Sequence, residues 1–383
     1  MAIVLIDTSP MLGDALRKIG YQNIVTLSSP DQLVSYIGLD ASRECRDVLC
    51  KIDVIVVKSL LPESYILDVS QRILSHPDFK DVPIIVTVES VDQQTIERAQ
   101  AIGVSDCISP LITKVELLAR IRWALKLTQR IQEQNQDRNK LESLISCFQK
   151  ELNLAKKLQR SVLSMPIYEQ NFAISAYYKP SDVLSGDMYC WYEIKEGCYG
   201  VMLIDVMGHG VSASLVSMSL RALLRGLIMR VTDPVLVMEE LNRQIHHIFL
   251  KEEAVLYFTA FYMVINTHNQ TIQYVNAGSP CGFLRKETNV FQELDQGCCP
   301  IGIIPDMKIQ KGCLTYEKGT QIVLYTDGVF DLFSNSAQEA YQKIKENILL
   351  SSSIDIQDVL ACITRSYDQS IAKDDICIIA IQL

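Results

Sequence analysis

Four short motifs in the second half of the sequence each place an aspartate at the end of an apolar run or beside a glycine. The four acids are Asp187, Asp205, Asp327 and Asp374. Carboxylate oxygens are the ligands that Mg²⁺ and Mn²⁺ prefer, and acids gathered in one place repel each other unless a cation lies between them. Two such ions about 3.5–4 Å apart would hold a bridging hydroxide and a phosphoryl oxygen. The pattern therefore predicts a hard-metal centre suited to phosphoryl chemistry.

A turn is the simplest alternative for each motif, because Asp-Gly pairs are common in turns. In Leu203–Asp205 and Leu324–Asp327, however, an apolar run leads directly into the acid and would project it from a rigid strand. The glycines that follow let the chain turn sharply and approach a ligand closely. Four motifs in order favour the metal centre. The sequence has no Cys-x5-Arg loop that would support cysteine-based dephosphorylation.

Strands and helices between residues 166 and 383 predict the scaffold that would carry these acids. Two helical stretches, Ala213–Arg230 and Pro234–Phe249, lie among strand-like runs separated by hairpin signals. The runs are Phe172–Tyr178, Gly200–Asp205, Phe258–Ile265, Thr271–Asn276, Gln321–Thr326 and Ile376–Ile381. Runs of strands with grouped helices are typical of an α+β sandwich in which helices cover stacked sheets.

Residues 1–124 show a different pattern, in which short β-branched runs alternate with amphipathic segments. The predicted strands, each followed by a helix-like stretch, are Ala2–Ile6, Asn23–Leu27, Val54–Val57, Ile84–Val88 and Asp106–Ser109. Continuous apolar runs such as Val54–Val57 are typical of strands that are buried on both faces. The repeat predicts an α/β fold with a doubly wound parallel sheet.

One long helix is predicted between the two parts, because no proline or glycine occurs between Lys114 and Pro166. Apolar or small residues recur at steps of three and four from Leu117 to Val162, which is typical of a coiled-coil seam. We divide the chain into a domain at 1–124, a helical coiled-coil linker at 125–165 and a domain at 166–383. A solvated helix folded back on one domain is the alternative, but so long an apolar stripe favours a homodimer.

The composition limits the classes of function. Hydrophobic residues make up 48% and charged residues 21% of the chain, which indicates a globular protein. The net charge of −9 argues against a general nucleic-acid binder. The first ten residues lack the basic start of a secretory signal, and no apolar stretch reaches the roughly 18 residues that span a bilayer. We therefore expect a cytoplasmic protein without membrane contact.

The first 124 residues resemble the response-regulator receiver domain. Asp7 matches an acid of the receiver's metal pocket, and Asp53–Pro62 matches the strand that normally ends in the phosphorylated aspartate. Lys58 stands at the phospho-acceptor position, and Thr8 and Pro110 replace a second acid and a lysine. An ammonium group would repel the metal and cannot accept a phosphoryl group as an aspartate does. The resemblance therefore implies a pseudo-receiver with no phospho-acceptor, whose remaining use is to bind a regulatory protein.

Residues 166–383 resemble the SpoIIE/RsbU-type branch of the protein phosphatase 2C superfamily over nearly all their length. Besides the aspartate motifs, the resemblance rests on Glu151–Gln159 of the connecting helix, Tyr178–Pro180, Asn276–Gly278, Cys299–Gly302 and Asp374–Ile376. It implies an αββα sandwich with two Mn²⁺ or Mg²⁺ ions. It also implies a phosphoserine or phosphothreonine protein substrate, usually an anti-sigma-factor antagonist of the STAS type.

The resemblance also implies a role for each matched acid. Asp187 and Asp205 would hold the first ion and the bridging water, and the carbonyl of Val206 would join the same shell. Asp327 and Asp374 would hold the second ion. The next acid along the chain, Asp375, would orient or close the site.

Other positions near the motifs are weaker candidates. Gly208 and His209 lie in the turn after Asp205, where His209 would either donate a proton to the leaving serine or pack the turn, and packing is favoured. Arg221 is expected to be an exposed helix cation, with contact to phosphate as the alternative. Ser185 and Ser279 depart from a glycine and a histidine that are more usual in the family.

The leading hypothesis is a regulated protein serine/threonine phosphatase that acts by direct attack of a metal-bound hydroxide. The alternative from another class is a non-catalytic adaptor that binds a sigma-factor regulator, which the altered receiver site supports. An adaptor, however, has no physical reason to keep mutually repelling carboxylates. A hydrolase of small phosphoesters is a weaker hypothesis, because the sequence contains no Gly-rich nucleotide cradle.

Overall fold

The chain forms two units, Met1–Ser146 and Cys147–Leu383. The first unit contains a parallel sheet, and the second contains two largely antiparallel sheets. The computed structural model describes residues 2–7, 11–18, 20–29, 32–33, 52–58, 62–76, 79–88, 92–249, 256–287, 290–333, 337–350, 355–364 and 373–383.

Five strands form the sheet of the N-terminal unit. They are β1 (Ala2–Asp7), β2 (Asn23–Leu27), β3 (Ile52–Lys58), β4 (Ile84–Thr87) and β5 (Asp106–Ile108). All pair in parallel in the order β2-β1-β3-β4-β5, which is the flavodoxin-like order of doubly wound folds. The described helices between them are α1 (Met11–Lys18), α2 (Glu63–Leu74) and α3 (Gln93–Ile102).

The central strand β3 is buried on both faces, as its continuous apolar run predicts. Val54 and Val56 belong to one hydrophobic cluster, whereas Ile55 and Val57 belong to another. Successive residues of a strand point to opposite faces of the sheet. The two clusters are therefore the cores on the two sides of the parallel sheet.

Lys58 ends strand β3 at the carboxyl edge of this sheet. It pairs in register with Asp7, the last residue of β1. Pro110 is exposed in the turn that follows β5, whereas Thr8 lies outside the described residues. The lysine thus stands at the edge where doubly wound folds bind their ligands. That the unit is a pseudo-receiver stays a prediction.

Helix α4 (Lys114–Ser161) is the 48-residue connecting helix that the sequence predicts. Its first turns belong to the core of the N-terminal unit, where Leu117 and Ile121 are at most 2% exposed. Thr128 is also buried, and its hydroxyl donates a 2.9 Å hydrogen bond to the carbonyl of Asp53. The prediction that the coiled-coil seam begins at Leu117 is therefore wrong, because the core of the N-terminal unit already covers the side chains of Leu117 and Ile121.

Two six-stranded sheets form the C-terminal unit. Their strands are β6 (Ile167–Glu169), β7 (Phe172–Lys179), β8 (Met188–Lys195), β9 (Cys198–Val206), β10 (Phe258–Asn266), β11 (Thr271–Ala277), β12 (Gly282–Arg285), β13 (Phe291–Leu294), β14 (Gly297–Cys298), β15 (Gly312–Thr315), β16 (Gln321–Tyr325) and β17 (Ile376–Gln382). The first sheet has the order β14-β11-β10-β9-β8, with β15 also paired to β11. The second sheet has the order β13-β12-β16-β17-β7-β6.

Helices cover the outer face of each sheet. Helices α5 (Val211–Ile228) and α6 (Pro234–Phe249) share a hydrophobic cluster with the first sheet, and α7 (Ala337–Leu350) and α8 (Ile356–Thr364) share one with the second. A third cluster contains side chains from both sheets and lies between them. The predicted α+β sandwich is confirmed, with the layer order αββα.

Two expectations about this unit need correction. The sequence pattern missed strands β6, β8 and β12 to β15, and it also missed helices α7 and α8, which lie between β16 and β17. It also suggested that no segment is apolar enough to span a bilayer, yet the 18 residues of α5 meet that test of length and composition. In the fold, Leu220 and Leu224 of α5 are at most 1% exposed in the cluster shared with the first sheet. Helix α5 is thus a core helix of this unit.

Candidate metal centre

The four predicted aspartates come from both sheets of the sandwich. Asp187 directly precedes β8, and Asp205 is the penultimate residue of β9, so both belong to the first sheet. Asp327 follows β16 and begins a 3-10 helix, and Asp374 stands just before β17, so both belong to the second sheet. These positions explain the sequence motifs, because each acid lies next to one end of a largely buried strand: Asp187 and Asp374 lie before β8 and β17, Asp205 lies near the end of β9, and Asp327 lies after β16.

Electrostatic coupling shows that these acids share one place in the fold. Burial, together with the carboxylates of Asp327 and Asp374, raises the pKa of Asp205 to about 7. Burial and the nearby carboxylate of Asp205 also raise the pKa of Asp187 well above its usual range. Burial raises the pKa of Asp374, and Asp327 adds to the effect. The structure therefore brings together the four aspartates that the sequence singled out.

The site is closed on one side and open on the other. Asp187 is 1% exposed, and Asp205 is half-buried. Asp327 and Asp374 are exposed. A ligand from solvent would thus meet the acids of the second sheet first, while the acids of the first sheet form the floor.

Asp375 has a different role from the four acids, because its carboxylate is engaged by the backbone. The N–H and the hydroxyl of Ser181 donate to its Oδ1 at 2.7 and 2.9 Å, and the N–H of Gly186 donates to its Oδ2 at 2.7 Å. The side chain is 3% exposed. Asp375 therefore fixes the loop that leads to Asp187. That it orients or closes a metal site stays a prediction.

Two glycines in the motifs are required by close backbone contacts. A Cβ on Gly186 would lie 2.9 Å from the carbonyl oxygens of Val206 and Gly208, and a Cβ on Gly328 would lie 2.0 Å from the carbonyl oxygen of Asp375. Each contact joins two motifs that are far apart in sequence. These glycines let the backbones of the metal-site loops pack directly against each other.

Asp187 is held by several groups to which the sequence assigned no role. The hydroxyl of Thr326 donates to its Oδ2 at 2.7 Å. Its N–H donates to the hydroxyl of Ser185 at 3.1 Å, and its carbonyl accepts a 3.3 Å hydrogen bond from Tyr178. The one signal in the sequence was the position of Thr326 directly before Asp327. Ser185, which replaces the more usual glycine, contributes a hydrogen bond of its own.

The end of helix α4 reaches the same loop. Gln159 is 2% exposed, and its Nε2 donates to the carbonyl of Ser185 at 2.7 Å, while its Oε1 accepts from the Ser185 N–H at 3.2 Å. Arg221 of α5 donates to the carbonyl of Val162 at 2.9 Å and lies over the ring of Tyr192. Arg221 is therefore not a free helix cation, and a contact to phosphate stays a prediction. Arg221 holds the chain just after the end of α4.

The turn after Asp205 presents His209 to solvent. Gly208 and Gly210 have φ values of 86° and 80°, a region that favours glycine, and His209 between them is exposed. The two glycines account for the shape of the turn, so the idea that His209 packs it receives no support. A proton-donor role for His209 stays a prediction.

The donor chemistry of the cluster fits a hard divalent cation. Within the described parts of the chain, no three histidine, cysteine or acidic side chains already surround one metal position. The cluster nevertheless offers only carboxylate oxygens. The pKa values of Asp187 and Asp205 are raised mainly by burial and by the neighbouring acids. A cation bound between the acids would remove this repulsion.

Comparison with known proteins supports the same family that the motifs suggested. The family model of stage II sporulation protein E (SpoIIE) matches residues 195–383. Residues 195–383 form a SpoIIE-type domain. Phosphoserine phosphatase RsbP of Bacillus subtilis (strain 168) is 39% identical over 212 residues, and phosphoserine phosphatase RsbU of the same organism is 26% identical over 222 residues.

The SpoIIE-type domain accounts for only part of each relative. The matched stretch covers 53% of this chain and 53% of RsbP, and 57% of this chain and 65% of RsbU. Among solved structures, the SiaA-PP2C domain of Pseudomonas aeruginosa aligns with a TM-score of 0.53 and 18% identity. That alignment covers 63% of this chain and 98% of the SiaA domain. The fold of the SpoIIE-type domain is thus that of PP2C domains.

Proposed function

We propose that this protein is a metal-dependent protein serine/threonine phosphatase. The observation that supports it best is the meeting of Asp187, Asp205, Asp327 and Asp374 at the ends of strands from both sheets. Two curated relatives of the SpoIIE-type domain, RsbP and RsbU, are named phosphoserine phosphatases. The substrate we propose is a phosphorylated signalling protein of the anti-sigma-factor antagonist (STAS) type, and the proposed location is the cytoplasm.

Each acid has a defined task in this proposal. Asp187 and Asp205, with the carbonyl of Val206, would hold one Mn²⁺ or Mg²⁺ ion, and Asp327 and Asp374 would hold a second. When bound, the ions would supply Lewis-acid activation of water and would neutralise charge on the phosphoryl group. A phosphoserine side chain would enter from the open side, at the exposed Asp327 and Asp374. On the buried floor, the hydrogen bond from the Gly186 N–H to Asp375 fixes the loop that carries Asp187.

A phosphatase assay of the full chain tests the proposal. With p-nitrophenyl phosphate, we expect hydrolysis that requires added Mn²⁺ or Mg²⁺ and stops when a chelator is present. Asp205→Asn and Asp327→Asn should each lower the rate more than about 100-fold while the circular dichroism spectrum is unchanged. The matched control is Asp306→Asn, because Asp306 is an exposed aspartate of the same unit that is not among the four site acids. Full activity of Asp205→Asn with chelator present would contradict the metal-dependent mechanism, whereas no hydrolysis by the unmodified chain at any Mn²⁺ or Mg²⁺ concentration would favour the non-catalytic adaptor.

A further inference from the structure

Thr326 is a buried hydroxyl that the proposed chemistry does not use. It lies between the end of β16 and Asp327, and it is 2% exposed. Its Oγ1 donates to Oδ2 of Asp187 at 2.7 Å and accepts the N–H of Cys377 at 3.0 Å. The carbonyl of Cys377, at 3.4 Å, is the more distant acceptor. Because a hydroxyl has one proton, the shorter contact to a carboxylate is the one that it donates.

This hydrogen bond crosses from one sheet of the sandwich to the other. Thr326 and Cys377 belong to the β16–β17 pair of the second sheet, whereas Asp187 stands at the start of β8 in the first sheet. The N–H of Thr326 also donates to the Cys377 carbonyl at 3.0 Å. Hydrogen bonds to Cys377 therefore fix both the backbone and the hydroxyl of Thr326 within its own sheet. A rigid group on the second sheet therefore sets the rotation of a carboxylate on the first.

We propose that Thr326 is a positioning residue that orients Asp187 for metal binding. Its hydroxyl occupies Oδ2 and leaves the other carboxylate oxygen for a cation. Because Asp327 is the next residue, the same bond also sets the spacing between acids of the two sheets. Hydrogen bonds to metal-ligating carboxylates typically change metal affinity 10–100-fold when they are removed. The inference rests on the proposed metal-dependent function.

Metal binding by three variants of the full chain tests the role of the hydroxyl. Thr326→Val removes the hydroxyl and keeps the shape, whereas Thr326→Ser keeps the hydroxyl. Thr320→Val is the matched control, because Thr320 stands just before β16, is 1% exposed, and its hydroxyl has no hydrogen-bond partner within the described residues. The readout is the rise in melting temperature as Mn²⁺ is added, which reports binding without any turnover.

We expect Thr326→Val to raise the Mn²⁺ concentration at half-effect roughly 10–100-fold, and Thr326→Ser to stay within about threefold of the unmodified protein. Thr320→Val should titrate like the unmodified protein. The Mn²⁺ dependence of p-nitrophenyl phosphate hydrolysis should shift in the same order. A normal Mn²⁺ titration of Thr326→Val would overturn the proposal, and so would a Thr326→Ser variant as weak as Thr326→Val, since keeping the hydroxyl would then not preserve metal binding.

If Thr326→Val does not fold, a third substitution at this position still tests the proposal. Thr326→Cys offers only a weak thiol donor, so its Mn²⁺ affinity should fall below that of Thr326→Ser. Equal affinities of these two variants would contradict the proposal. If the unmodified protein showed no Mn²⁺-dependent rise in melting temperature, the proposed metal-dependent function would fail, and the role of Thr326 with it. The unmodified chain thus separates failure of the function from failure of the positioning role.

Discussion

At the scale of single residues, the acids of the site destabilise the metal-free fold. Asp205 lies among Asp187, Asp327 and Asp374, and its pKa of about 7 lies far above its usual value of 3.8. Between these two pH values the folded state holds a proton that the unfolded state has released. Lowering the pH through this window therefore stabilises the metal-free folded protein, and raising it removes that stabilisation. A bound cation would act in the same direction as the proton.

Asp205→Asn tests this balance, because an amide cannot ionise. Without metal, the variant should melt at a temperature higher by about 2–8 °C than the unmodified protein at pH 7.5, and this difference should shrink toward pH 4.5. With Mn²⁺, the order should reverse, since the variant lacks a ligand of the first ion and gains less from binding than the unmodified protein. Melting curves of both proteins and of Asp306→Asn, with chelator and with Mn²⁺, provide the measurement. An Asp205→Asn variant that is less stable than the unmodified protein without metal at pH 7.5 would contradict this account.

At the scale of elements, the last turns of helix α4 are part of the site's support. Gln159 holds the backbone of Ser185 through two hydrogen bonds, two residues before Asp187. Arg221 holds the chain at Val162, just beyond the helix. A displacement of the helix end would therefore move the loop that carries Asp187. This contact gives the connecting helix a physical route to the metal site.

Gln159→Leu removes both hydrogen bonds and keeps a side chain of similar size. We expect roughly tenfold weaker Mn²⁺ binding and a comparable fall in the rate of p-nitrophenyl phosphate hydrolysis at limiting Mn²⁺. Arg160→Leu, at the exposed neighbouring position, is the matched control and should leave both quantities unchanged. Unaltered Mn²⁺ dependence in Gln159→Leu would show that the helix end does not position the loop.

The middle of helix α4 carries exposed apolar side chains, whereas its first turns pack in the N-terminal unit and its last turns contact the C-terminal unit. Leu141, Leu144, Ile145 and Phe148 are between 47% and 68% exposed. Steps of three and four residues place them on one side of the helix. We propose that a second copy of the chain covers this stripe, so the coiled coil is shorter than the sequence pattern suggested.

Replacing Ile145 and Phe148 by Glu should separate the two chains, since two charges would be buried in the seam. Light scattering at micromolar concentration should then give the mass of one chain, against two for the unmodified protein. Gln149→Glu introduces a charge at a neighbouring exposed position and should leave the dimer intact. A single-chain mass for the unmodified protein would refute the dimer.

The sequence predicts those features of the fold and the site that depend on a few adjacent residues, and it misses those that depend on residues far apart in the chain. The acid at the end of each strand was readable, because apolar runs leading into Asp205 and Asp327 are features of a few adjacent residues. The roles of Thr326 and Gln159 were not, since their partners lie 139 and 26 residues away. The apolar period of α4 was also visible, but periodicity alone does not tell which stretch is covered by the chain's own core.

At the scale of the whole molecule, a SpoIIE-type domain follows a unit that carries Lys58 at the edge where a receiver would carry its phospho-acceptor. We propose that this unit acts by binding a regulatory protein and that helix α4 transmits the effect to Asp187 through Gln159. A regulator can shift the equilibrium between two helix positions only by binding one of them more tightly. The sign of regulation then depends on which position the regulator prefers.

The most direct test of the account is the release of inorganic phosphate from a phosphoserine peptide by the full chain, measured as a function of Mn²⁺ concentration. The account predicts a rate that saturates with Mn²⁺, falls to background on addition of chelator, returns when excess Mn²⁺ is restored, and is absent in Asp205→Asn. Release of phosphate that is unchanged by chelator, or that persists in Asp205→Asn, would contradict the claim that the four aspartates form a metal-dependent phosphatase site.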